Sequence, residues 1–261
     1  MANPGQPPIA VVFLQGIGGD ARLWNPQAAS FAAAGYAPVA LDLPGYGARP
    51  PVDEMSFDML AADVEAAVEA RKLDRPVIVG HSFGGMIAQS CLRRRPKGYR
   101  AAVLSGTSPA FGNPSGDFQK KFVADRLAPL ASGQTMADMA PSMADQVMGP
   151  RADAQNRALF IEVMGRISPR TYRAAVQCLV GFDERANLGH IQVPVLCVVG
   201  ELDRNAPAPM MERMAGKIPG AKYVCLPGLG HMPNLEAPQF YDAAILNFLR
   251  DALAPVAAQG G

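Results

Sequence analysis

Six short apolar runs punctuate the chain, at residues 9–14, 38–43, 76–79, 101–104, 193–199 and 222–226. Each is nearly continuous in Val, Leu, Ile and Ala, the pattern of strands buried on both faces. Between the runs apolar residues recur at helical spacing. Strands and helices therefore alternate, which predicts a mostly parallel, twisted sheet flanked by helices. Asn25-Pro26 offers an N-cap followed by proline at the first helical position, and Gly35 closes that helix. Ser56 caps a second helix whose apolar face runs Phe57, Leu60, Val64 and Val68 and which ends before Pro76. A third runs from about 84 to 94, and the last, amphipathic one from about 238 to 253. The Ala/Gln/Gly tail after Pro255 is expected to fray.

One stretch departs from the alternation. From Phe111 to Phe182 no β-branched run occurs, and helical patterns broken by prolines and glycines take over. The stretch holds Met136, Met139, Met143, Met148 and Met164 together with Phe118, Phe122, Phe160 and Tyr172. It is expected to be a helical cap, residues 111–183, inserted into a core made of residues 1–110 and 184–261. Methionine-rich helices are ordinarily core, but flexible apolar side chains above a sheet also make an adaptable lining for a ligand.

Composition narrows the function classes. The 261 residues suit one large domain or one with an insertion. Hydrophobic residues at 49% against 18% charged exclude a disordered chain. Twenty-four basic and 23 acidic side chains leave a net charge of +1, too little to attract nucleic acid or an anionic membrane. No apolar run is long enough to span a bilayer. The opening Met1-Ala2-Asn3-Pro4-Gly5 has no basic stretch followed by an apolar one, so a cytoplasmic protein is expected. Cys91, Cys178, Cys197 and Cys225 show no CxxC spacing and no histidine beside them. They are expected to be buried, reduced thiols, neither metal ligands nor bridges. Monomer and homodimer both stay open.

Candidate chemistry begins at Gly80-His81-Ser82-Phe83-Gly84-Gly85, between a predicted strand and a predicted helix. A serine there must take a strained turn that lifts its hydroxyl above the sheet, and glycines two residues to either side remove the side chains that would collide. The helix N-terminus favours negative charge developing near the serine. A serine nucleophile needs a base, and the chain has three histidines. His81 adjoins the serine on the turn itself, so its ring is expected to point elsewhere. His190 directly precedes a strand and is read as a surface residue. His231, in Gly228-Leu229-Gly230-His231-Met232-Pro233, sits in a loop after the sixth run, at the sheet edge where ligands bind in open α/β folds. The base in turn needs a carboxylate to orient it. Asp203 emerges at the same edge after the fifth run; Glu201, two residues earlier, competes for the role but has less freedom to reach a loop so close to the strand end.

With these motifs the chain resembles the α/β-hydrolase fold family in its capped form, over essentially its whole length. Leu14-Gln15-Gly16-Ile17-Gly18-Gly19, Asp42-Leu43-Pro44-Gly45-Tyr46-Gly47, the serine turn, Gly200-Glu201-Leu202-Asp203 and Gly230-His231 carry the resemblance. The chain order Ser82, Asp203, His231 is that family's order of nucleophile, acid and base. The resemblance implies an oxyanion hole made by the backbone N–H groups of Ile17 and Phe83, and a reaction needing no metal, nucleotide or flavin. Many relatives have histidine where this chain has Gln15, so the pocket floor is expected to differ in shape and polarity.

The expected activity is hydrolysis of a small to medium carboxylic ester or lactone with an apolar or aromatic part, through an acyl-enzyme. The alternative within the family is carbon–carbon hydrolysis of dienone ring-fission products. It is disfavoured by His81 before the nucleophile, by Met232-Pro233-Asn234 after the base, and by a single tryptophan, Trp24. A non-catalytic small-molecule receptor would keep the pocket without turnover. Gly16-Ile17-Gly18-Gly19-Asp20-Ala21 with Asp42 also fits a dinucleotide-binding loop, but Asp42 lies 26 residues after Gly16, beyond the usual ~20. Arg126, Arg157, Arg166 and Arg173 could anchor a substrate carboxylate, although most of them are expected on a solvated face.

Overall fold

Successive strand residues face opposite ways, and the core divides accordingly. In β1 (Ala10–Leu14), Val12 and Leu14 enter one apolar cluster while Val11 and Phe13 enter another. The computed structural model describes residues 7–113 and 115–254; the N-terminal motif Met1-Ala2-Asn3-Pro4-Gly5 and the tail after Pro255 lie outside them. β2 (Ala37–Leu41), β3 (Val77–His81), β4 (Ala102–Ser105), β5 (Val195–Gly200) and β6 (Lys222–Leu226) complete a six-stranded sheet. Its order is β2-β1-β3-β4-β5-β6, and every neighbouring pair is parallel. The order reverses between β1 and β3, which opens a crevice at the carboxyl ends of those strands.

Helices cover both faces. α1 (Asn25–Ala33) and α10 (Pro238–Ala252) pack Phe31, Tyr241 and Ile245 against the cluster containing Phe13. α2 (Phe57–Ala70), α3 (Phe83–Arg94) and α8 (Ala208–Ala215) bury Leu60, Val64, Ile87 and Met211 on the other face. Ser56 caps α2 as its sequence predicts, accepting from the Met59 N–H at 3.2 Å. Gly35 ends α1 at φ +86°, where the Tyr36 N–H reaches back to Phe31. Asn25, however, is not the N-cap. A 3-10 turn over Ala21–Trp24, itself capped by Asp20, runs straight into α1, so Asn25 already has helical dihedrals.

Among the described residues four α-helices lie between β4 and β5: α4 (Asp117–Ala131), α5 (Met136–Val147), α6 (Ala154–Gly165) and α7 (Pro169–Leu179), followed by a 3-10 turn over Arg185–His190. Thr135 and Asp138 form a reciprocal capping box at α5, Asp153 caps α6, and Pro169 occupies the first turn of α7. The two limbs of this segment meet at an antiparallel bridge between Ala110 and Asp183, with the Phe111 N–H bonded to Phe182. A one-turn helix, α9 (Pro233–Glu236), follows the His231 loop and has no counterpart in the sequence reading.

The four thiols are unpaired, and burial pushes those of Cys91, Cys178 and Cys197 up to about 12, which keeps them protonated and inert. Cys225 departs from expectation: it is half-buried, because β6 forms one edge of the sheet. Among the described residues no helix is long and apolar enough to cross a membrane.

Candidate active site

The serine turn is built by backbone crowding. Ser82 follows β3 and takes φ +52°, a conformation costing about 1–3 kcal/mol for a residue with a Cβ. It is held there from both sides: its N–H donates to Ser105 at 2.8 Å, and the Thr107 hydroxyl donates to its carbonyl at 2.8 Å. A Cβ on Gly80 would overlap the Gly84 carbonyl, and one on Gly84 would overlap that of Leu14. The flanking glycines are therefore required by packing, as the motif implies. α3 begins at Phe83, directly behind the serine.

Asp203 and His231 arrive at the same edge from β5 and from the loop after β6. The two loops run backbone against backbone: the Leu202 N–H donates to Leu229 at 2.8 Å, and a Cβ on Gly200 would overlap the carbonyl of Gly230. Asp203 has no exposed side-chain surface. Its Oδ1 accepts from the Asn205 and Ala206 N–H groups at 2.8 and 2.9 Å, leaving Oδ2 for His231 Nδ1 at 2.8 Å. His231 Nε2 lies 3.0 Å from Ser82 Oγ. The structure thus brings the three predicted side chains into one hydrogen-bonded line. Glu201 bonds the Gly228 N–H at 2.8 Å, so it reaches the base loop but not the imidazole.

Ile17 lines the cavity beside Ser82, and Phe83 directly follows Ser82 at the start of α3. The Gly16 loop lies against the serine, with a Cβ at Gly16 only 3.3 Å from that of Ser82. Among the described residues neither the Ile17 nor the Phe83 N–H donates a hydrogen bond within the protein. Gln15 does not form the pocket floor. It is 1% exposed beneath Gly19, away from the cavity wall, and its carboxamide has no partner among the described residues. Asp42 is spent on structure, accepting from the Ala21 N–H at 2.8 Å against the Gly47 turn, which removes the carboxylate from the dinucleotide reading.

Two residues carry more than their sequence positions suggest. The His81 ring does not point away. β3 continues through it, and its centroid lies 4.8 Å from that of His231. Burial, and then the neighbouring imidazole, holds its pKa well below the usual histidine range, so it stays neutral beside the His231 ring. Glu236, at the end of α9, is 4% exposed and brackets the base loop, accepting from the Gly230 N–H at 2.7 Å and the Met232 N–H at 3.0 Å. It also approaches Gly149, in the turn between α5 and α6, and the His231 N–H donates to Val147 at 2.8 Å. Nothing in Pro233-Asn234-Leu235-Glu236 separates this glutamate from a solvated one; only the fold shows its use. His190 is exposed, as expected.

The line opens into a cavity of about 940 Å³. The sheet edge contributes Ile17, Ser82 and His231, while Phe122, Met143 and Phe160 face them from the four helices. Met139, Met164 and Tyr172 also line it, but Met136 and Met148 do not. Of the four arginines singled out from the sequence, Arg157 and Arg166 pair with Asp145 and Glu162, and Arg173 is exposed. Arg126 alone of them faces the cavity.

A profile described as Alpha/beta hydrolase family matches residues 11–244. A pimeloyl-[acyl-carrier protein] methyl ester esterase from Chromobacterium violaceum is 30% identical over 80% of this chain and 82% of its own length. The crystal structure of the enol-lactonase from Burkholderia xenovorans LB400 superposes with a TM-score of 0.82 at 21% identity, covering 95% of this chain and 94% of that one. That of a bromoperoxidase from Bacillus anthracis gives 0.85 at 19% identity, covering 94% and 92%. At these identities the two structures speak for the fold.

Proposed function

The chain belongs to the alpha/beta hydrolase family, and from that premise we propose that it is a serine hydrolase of carboxylic esters or lactones. The observation that carries the proposal is the line from Ser82 Oγ to His231 Nε2 at 3.0 Å and from His231 Nδ1 to Asp203 Oδ2 at 2.8 Å. His231 takes the hydroxyl proton as Ser82 Oγ bonds to the substrate carbonyl carbon, and Asp203 holds the imidazole tautomer and stabilises the imidazolium. The Ile17 and Phe83 N–H groups receive the oxyanion; one such donor is typically worth ~3 kcal/mol in the transition state. The imidazolium then protonates the departing alkoxide, leaving an acyl-Ser82 ester. Water, deprotonated by His231, attacks that ester and frees the acid and the serine.

The apolar wall of Phe122, Met143 and Phe160 suits an apolar or aromatic substrate part. The 30%-identical relative named as a methyl ester esterase supports ester over other bonds. A fluorophosphonate probe and p-nitrophenyl esters of two to eight carbons test the reading. Labelling confined to Ser82 together with ester turnover is expected. Absence of ester turnover with clear cleavage of a dienone would overturn it in favour of carbon–carbon hydrolysis, and labelling without any turnover would favour a receptor.

A further inference from the structure

The charged groups around the cavity are not equally provided for. Asp125 is bonded to Lys121 at 2.8 Å, Asp138 to the Thr135 N–H at 2.8 Å, and Asp203 to His231. Arg126, half-buried on α4, makes no ion pair among the described residues. Its Nη1 lies 3.0 Å from the Met143 thioether, a weak acceptor, and its guanidinium carbon lies 5.4 Å from the centre of the Phe122 ring. Tyr172, 1% exposed, stands beside it: burial raises the pKa of the Tyr172 hydroxyl, and the Arg126 guanidinium opposes that rise. All four side chains line the same cavity as Ser82. A guanidinium fork set among Met, Phe and Tyr, with the neighbouring Asp125 and Asp138 bonded to Lys121 and Thr135 and not to it, is arranged for an anion that comes from outside the protein.

We propose that Arg126, with Tyr172, forms a carboxylate subsite under the helices, so that the substrate is an ester or lactone carrying a second, ionised carboxyl group. This deepens the serine-hydrolase reading and rests on it. The apolar surroundings strengthen the contact, because a charge pair shielded from water is worth more than one in it. The planar, bidentate match of guanidinium to carboxylate also distinguishes this anion from a neutral polar group. Arg204, the other arginine lining the cavity, is exposed on the loop beside Asp203; it is the natural control.

Two matched substrate pairs test the subsite with the carboxylate on either side of the scissile bond: monomethyl adipate against methyl hexanoate, and 6-acetoxyhexanoate against hexyl acetate, followed by pH-stat. In the wild type the anionic member of at least one pair is expected to have a kcat/KM at least tenfold above its neutral partner. Arg126→Met is expected to reduce that ratio by tenfold or more, Arg126→Lys to reduce it less, and Arg204→Met to retain it. Circular dichroism and thermal melting of each variant establish that it is folded. An Arg126→Met that does not fold leaves the decision to Arg126→Lys and to the wild-type ratios. Neutral members preferred in both pairs, a ratio that survives loss of the guanidinium, or a ratio that falls with Arg204 instead would each overturn the proposal. The serine-hydrolase reading would survive any of these, since its own failure shows as no Ser82-dependent turnover of the neutral esters.

Discussion

The carboxyl edge of the sheet and the four helices above it face one cavity, yet they are specified in different ways. At the edge the determinants are backbone: Gly80, Gly84 and Gly200 stand where a Cβ would overlap a neighbouring carbonyl, and short loops leave rigid strands. Ser82, Asp203 and His231 are therefore placed by chain geometry. The helices face the cavity with side chains instead, through Phe122, Met139, Met143, Phe160 and Met164, on elements whose apolar periodicity serves core packing equally well. The proposed chemistry thus falls to the part of the fold that tolerates least change, and the proposed selectivity to the part that tolerates more.

The largest effects should come from the edge. Ser82→Ala is expected to lower kcat by about 10⁴-fold or more, and Asp203→Asn by about 10⁴-fold through the wrong imidazole tautomer, with KM little changed in either. Steady-state kinetics on a p-nitrophenyl ester, with melting curves to verify folding, would measure both. Activity of Ser82→Ala within tenfold of wild type would mean another nucleophile.

Glu236 lies where the two regions join, since its carboxylate braces the His231 loop and that loop also hangs on α5 through Val147. Glu236→Gln keeps the volume but brings an NH₂ group that faces N–H donors. Displacing a catalytic group by about 1 Å can cost on the order of 10²-fold, so a fall in kcat of about 10–100-fold is expected, with KM less affected. Fluorophosphonate labelling should slow in parallel. A change confined to KM would assign Glu236 to the binding side instead.

This contrast also explains what could be read in advance. The six strands, the serine turn and the meeting of Ser82, Asp203 and His231 at one edge were legible because buried parallel strands and obligatory glycines leave local marks. β3 was foreseen only to Val79 because Gly80 reads as a turn, although Gly80 and His81 still pair with β4. Glu236, the neutral His81 beside the base and the burial of Gln15 were not legible, since each depends on residues far away in the chain. The helical stretch was recognisable by its lack of β-branched runs. Which methionines line the cavity was not, because Met136 and Met143 lie two turns apart on the same buried face of α5 and differ only in which turn meets the cavity.

Truncating a helix side chain should act differently from changing the edge. Phe160, 3% exposed, faces Gly18 so closely that a Cβ there would meet its ring at 3.4 Å. Phe160→Ala is expected to raise KM several-fold for aromatic esters while kcat falls less than for Glu236→Gln, with a stability loss of about 3–5 kcal/mol. Chemical denaturation together with kinetics on phenyl and methyl esters would show it. A kcat loss approaching that of Asp203→Asn would break the division of labour.

The smallest effect tests whether the scaffold titrates separately from the site. Asp242, on α10, is 5% exposed and bonds the Ser30 hydroxyl, while its other oxygen has no partner among the described residues. Burial raises its pKa, and the Ser30 hydroxyl with the nearby Gln27 side chain only partly opposes this. A carboxyl whose folded pKa lies above its unfolded value favours the native state while protonated, and that contribution is lost as pH rises through the raised value. Asp242→Asn removes the titration. The melting temperature of the variant relative to wild type should therefore increase between pH 3.5 and pH 7, by about 2–4 °C for each kcal/mol of linkage. The pH profile of ester hydrolysis should not move, because Asp242 contacts α1 and none of the cavity residues. A constant difference in melting temperature would mean that Asp242 is ionised alike in both states. A displaced activity profile would mean that the scaffold and the sheet edge are electrostatically joined after all.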